Sequence, residues 1–112
     1  MEDRVKKYLK DILDSIVNID IHLQHKKDFN LFSQNITIRK AVERDLEIIG
    51  EAVSKLLKIN SEISITYSRV IVDLRNKIIH SYDTINETII WKIILKDIPV
   101  LKVEVEKLLK EN

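Results

Sequence analysis

Large apolar residues return every three or four positions along almost the whole chain, and little interrupts them. In 112 residues there is one glycine, Gly50, and one proline, Pro99. A strand buries every second side chain, whereas a helix turns about 100° per residue and lines up positions three and four apart. Isoleucine is frequent, which by propensity leans towards strands. Spacing decides against them, because it reports which face is buried. Val5, Leu9, Ile12, Ile16, Ile19 and Leu23 make one stripe over about 3–24. Ile38, Val42, Ile49, Val53 and Leu56 make a second over about 36–58. A third helix, about 66–81, carries Tyr67, Val70, Ile71, Leu74 and Ile78 towards the core. Thr84-Ile85-Asn86-Glu87 reads as a capping box opening a fourth, with Ile89, Ile90, Ile93 and Ile94 as its apolar side. Asp97 reads as the cap of a last helix, with Pro99 in its first turn and Leu101, Val105, Leu108 and Leu109 along its face. The predicted fold is all-α: an up-and-down four-helix bundle with an additional short C-terminal helix, residues 1–112 forming one domain.

Charge and composition narrow the function classes. The formal net charge is +1, with 33% charged residues. That is not the balance of a bulk nucleic-acid binder, so any RNA contact must be local. With no cysteine there is neither a disulfide nor a thiolate metal site. The start, Met1-Glu2-Asp3-Arg4, is unlike a secretory leader, and Ile89-Ile90-Trp91 is cut short by Lys92. A cytoplasmic protein without a membrane span is expected.

Several side chains admit both a chemical and a structural reading. His22 and His25 are spaced to ligate a metal from one helix face, but only Asp28 offers a nearby third ligand. A solvated helix end, with cations favoured by the dipole, is the preferred reading, and no metal or cofactor is assigned. Phe29, Leu31 and Phe32 beside Lys26 and Lys27 could stack bases; closing one end of the core is preferred. Glu47 and Glu51 could act as paired carboxylates. Salt bridges to Arg44, Lys55 or an arginine on another helix suit them better. Gly50 costs about 1 kcal/mol against alanine in mid-helix, so close packing is expected there.

The densest chemistry lies in Arg75-Asn76-Lys77-Ile78-Ile79-His80-Ser81-Tyr82. On a helix, Val72 and Ile79 form a second apolar strip, roughly opposite the core stripe. Arg75 flanks that strip on one side, and Asn76 and His80 flank it on the other. An imidazole ordinarily titrates near neutrality and can be general base or acid in RNA cleavage, where the 2′-hydroxyl attacks the neighbouring phosphodiester. An arginine can hold the phosphate and stabilise charge building on its oxygens. Asn76 can orient His80 or donate to the phosphate. One chain supplies one such histidine, and Arg75 and His80 point about 140° apart on an ideal helix. Two copies packed across Val72 and Ile79 would bring two arginines and two histidines to one cleft.

Arg75, His80 and Tyr82 form R-x4-H-x-Y, which resembles the signature of HEPN-domain toxins and, more narrowly, of HepT, the toxin of HepT–MntA toxin–antitoxin pairs. The resemblance continues in Ala41-Val42-Glu43-Arg44-Asp45-Leu46-Glu47-Ile48-Ile49-Gly50-Glu51-Ala52 and in Trp91 followed by Leu95-Lys96-Asp97-Ile98-Pro99-Val100-Leu101. It covers most of the chain from about residue 36 onwards. Where the family would place a Pro-Trp pair ahead of the motif helix, Ile65, Thr66 and Tyr67 stand instead. The resemblance implies a HEPN-like bundle and a metal-independent endoribonuclease acting as a homodimer through a composite Arg75/Asn76/His80 site. It further implies neutralisation by an MntA-like nucleotidyltransferase antitoxin that transfers AMP to Tyr82. Read from residues alone, Arg75 could instead be an ion-pair partner of Asp73 or Glu47, His80 a helix-end cation, and Tyr82 a packing residue. The alternative function is a non-catalytic helical subunit that only assembles with such a nucleotidyltransferase.

Overall fold

A computed structural model describes residues 2–80 and 85–111. Five helices follow one another: α1 (Asp3–His22), α2 (Phe29–Gln34), α3 (Ile36–Ile59), α4 (Ser68–His80) and α5 (Glu87–Lys110), with no strand among the described residues. The long helices α1, α3 and α5 and the shorter α4 make the bundle. α3 packs against both α1 and α4, and α5 closes the ring against the same two. The shared core includes Leu9, Ile12, Val42, Ile49, Val53, Leu56, Ile90 and Val105, all essentially without solvent contact. None of the helices among the described residues is long and apolar enough to cross a membrane.

The bundle and its one short helix agree with the sequence, but the short helix is elsewhere. It is α2, between the first two long helices, and not a C-terminal piece. Asp28 caps it, its carboxylate accepting from the amides of Asn30 and Leu31. Phe32 is fully buried and stacks on Trp91 with ring centroids 5.5 Å apart; Phe29 meets Trp91 edge-on at 5.8 Å. The aromatics therefore close one end of the core. Their burial is what makes so short a helix worth forming, since six residues have no helical stability of their own.

The expected break at Asp97 is absent, because α5 runs unbroken through Pro99. A proline inside a helix removes one amide donor and crowds the carbonyl four residues back. Here Pro99 and Leu95 are both exposed, so the freed carbonyl faces water and the cost is limited. The capping of α5 also differs in detail. Asn86 is the cap, accepting from the amides of Thr88 and Ile89, while Thr84 lies outside the described residues. Glu87 then bonds Arg39 at 2.6 Å, tying the start of α5 to α3.

At the other end of α1 the chain turns sharply. Gln24 and His25 adopt positive φ values of 59° and 58°, a left-handed conformation that turns the chain out of the helix. The two histidines diverge as a result. His22 Nε2 meets the buried Asp45 of α3 at 3.0 Å, whereas His25 Nδ1 meets the exposed Asp20. No cluster of three metal-binding side chains occurs among the described residues.

Candidate active site

The motif helix α4 begins at Ser68, two residues later than the periodicity suggests. The two residues before it are anchored to α5. Thr66 donates its amide and hydroxyl to Glu104, and Lys96 lies 5.4 Å from the Tyr67 ring. Ile71 and Leu74 are buried, and Ile78 is half-buried against the core. Val70, expected in the core, is 40% exposed and lines an open groove between α4 and α5.

Arg75 is half-buried rather than extended into solvent. Its stem lies against Gly50, where an added Cβ would stand 2.2 Å from Arg75 Cβ, 2.8 Å from Cγ and 3.2 Å from the carbonyl oxygen of Ile71. The lone glycine thus gives the arginine stem room between α3 and α4. Beyond that contact, Nη2 bonds Glu51 Oε2 at 2.5 Å and Nη1 donates to Asn76 Oδ1 at 3.0 Å. Nε is buried and has no hydrogen-bond partner among the described residues. The partner carboxylate is therefore Glu51, neither Asp73 nor Glu47. Glu51 also faces Lys55 at 3.7 Å, and Glu47 pairs with Arg44 at 3.3 Å, as their spacing on α3 suggests. Asn76 engages Arg75, and among the described residues no bond joins it to His80.

Beside Arg75 is a cavity of about 260 Å³ whose wall includes Lys7 and Tyr8 of α1 and Arg44, Glu47, Glu51 and Lys55 of α3. The hydrogen bond and charge of Asp11 hold the Lys7 ammonium above the ordinary lysine value. Sequence spacing gives no sign that α1 contributes here, since Lys7 and Tyr8 are nearly seventy positions from Arg75. The adjacency of Gly50 and Glu51 does carry a signal: a forced close approach next to a carboxylate.

His80 closes α4 and is exposed. Among the described residues no bond joins it to Arg75, so one chain does not assemble the two into one contact. Of the proposed interface pair, Ile79 is 39% exposed, while Val72 is half-buried against the core, so the strip is narrower than its spacing implies. Tyr82 lies outside the described residues.

A family model described as ribonuclease HepT-like matches residues 5–108. The chain belongs to the HepT-like ribonuclease family. A Methanocaldococcus jannaschii protein provisionally named an RNase is 42% identical over 106 residues, covering 91% of this chain and 94% of the relative. A similarly named protein of Caldanaerobacter subterraneus subsp. tengcongensis is 40% identical over 88 residues, covering 75% and 76%. The probable ribonuclease HepT of Thermococcus cleftensis is 35% identical over 109 residues, covering 94% and 96%. No solved structure gives a significant match.

Proposed function

We propose that this protein is a cytoplasmic endoribonuclease toxin that cleaves RNA as a homodimer without a metal. The observation that carries this is Arg75 held by Gly50, Glu51 and Asn76 on the helix that ends in the exposed His80, within a HepT-like ribonuclease chain. Arg75 binds the scissile phosphate and stabilises the charge that grows on it. His80 moves the proton, taking it from the 2′-hydroxyl or returning it to the leaving oxygen. Asn76 keeps the guanidinium in register. Two copies meeting along the exposed side of α4, at Ile79 with the rim of Val72, bring the arginine of one to the histidine of the other. The partner is an MntA-like nucleotidyltransferase antitoxin that neutralises the toxin by transferring AMP to Tyr82. An AMP group there would compete for Arg75 and add negative charge to the cleft.

A second reading has one observation in its favour. The Arg75–Glu51 pair could be purely structural, in a helical subunit that binds a nucleotidyltransferase without catalysis. Purified protein and a synthetic RNA in EDTA separate the two. The catalytic reading expects cleavage that disappears in His80→Ala and Arg75→Ala while the helical circular dichroism stays. A wild-type protein that leaves RNA intact favours the binding subunit.

A further inference from the structure

We infer that Glu51 is a positioning residue for RNA cleavage, setting the orientation in which Arg75 meets the phosphate; this rests on the ribonuclease reading above. The side chain of Glu51 is 44% exposed, so water could have satisfied it. Instead Oε2 takes Nη2 of Arg75 at 2.5 Å, and Oε1 faces Lys55 at 3.7 Å. Asn76 takes Nη1 from the other end of the fork, and the stem is wedged against Gly50. Three contacts thus fix a side chain that otherwise has many rotamers.

The way Arg75 is held does not look like self-satisfaction. A half-buried arginine serving only the fold normally has its buried donors paired, yet Nε is buried and has no partner among the described residues. The clasp fixes direction at the expense of one hydrogen bond. Each Nη carries two hydrogens, so one on each remains after Glu51 and Asn76 are served. Those two hydrogens are what the guanidinium presents to an anion, and Glu51 decides where they point. A carboxylate this close also offsets part of the arginine's charge. That limits ground-state phosphate binding and leaves the advantage for the transition state, when charge on the phosphate oxygens rises.

The test is steady-state cleavage of one RNA by wild type, Glu51→Ala, Glu51→Gln, Arg75→Ala and the Glu51→Ala/Arg75→Ala double variant, with Arg75 followed by side-chain nitrogen NMR. Misplacing a reacting group costs on the order of 100-fold, so Glu51→Ala should lose that much in kcat with KM changed less than about threefold. Glu51→Gln keeps an acceptor of the same shape and should recover most of the rate. In the Arg75→Ala background, removing Glu51 should cost nothing further, because it acts through the arginine. The two Nη groups of Arg75 should give separate signals in wild type and averaged ones in Glu51→Ala. Wild-type rates in Glu51→Ala, or a loss that adds in full to that of Arg75→Ala, would overturn the inference. Averaged Nη signals in the wild type would do so too. An inert wild type, by contrast, removes the ribonuclease reading itself. Separate Nη signals would then make Glu51 a structural partner only, which also rejects the positioning role.

Discussion

Replacing Gly50 by alanine sets two known effects against each other. In an exposed helix the change would stabilise by about 1 kcal/mol, since glycine is a poor helix former. At this position the new Cβ would stand 2.2 Å from Arg75 Cβ and 2.8 Å from Cγ. A Cβ is fixed by its backbone and cannot rotate away, so α3 and α4 must separate by roughly 1.5 Å to restore ordinary carbon–carbon contact. Overpacking of this kind costs about 1–3 kcal/mol, and an overlap this deep belongs at the upper end. The net expectation is a loss of about 2 kcal/mol. Unfolding entropy near 2.1 cal/mol/K per residue makes 1 kcal/mol worth about 4 °C in a chain of this length, so Tm should fall by about 8 °C in a calorimetric scan. Movement of α4 also carries Arg75 away from Glu51, so cleavage should drop more than stability explains. Arg75→Gly in the same chain removes the atom that is struck and should recover much of the packing, though not the activity. A Gly50→Ala protein that melts at or above the wild-type temperature would refute the reasoning.

Three further outcomes are expected. Ile79→Asp places a charge on the exposed side of α4 and should shift the light-scattering mass from dimer to monomer; an unchanged mass puts the interface elsewhere. Phe32→Ala empties a site with no solvent contact beside Trp91 and should cost about 3–5 kcal/mol in denaturant unfolding; a loss below about 1 kcal/mol would show that the aromatic cluster does not close the core. Co-expression with a neighbouring nucleotidyltransferase should add mass in multiples of AMP that is lost in Tyr82→Phe. An unmodified Tyr82 beside full neutralisation would mean that the partner acts by binding alone.

The helices were legible because burial dictates their spacing, and the apolar stripes of α1, α3 and α5 reappear in the core, except for Ile89, which is exposed. Local signals misled where tertiary contact outweighed them. Pro99 reads as a helix start, yet the exposed face of α5 tolerates it. Phe29, Leu31 and Phe32 read only as closing one end of the core, yet the packing of Phe32 on Trp91 also holds residues 29–34 helical. At the site, the motif points to Arg75, Asn76 and His80 as candidates, and the close packing expected at Gly50 is present. A salt bridge from Glu51 to an arginine on another helix is among the pairings the sequence allows, but nothing in it singles out Arg75. Which carboxylate meets Arg75 depends on how α3 and α4 align, and the sequence of neither helix fixes that alignment.

A cleft shared by two copies of α4 is most directly tested by mixing two inactive proteins. Arg75→Ala and His80→Ala are co-refolded in equal amounts and assayed on RNA in EDTA. Half the dimers formed should be mixed, and each should carry one intact pairing of Arg75 from one copy with His80 from the other. The mixture should therefore regain about one quarter of the wild-type rate, while each variant alone stays inactive. A mixture as inactive as its components, beside an active wild type, would contradict a site made by Arg75 of one copy and His80 of the other.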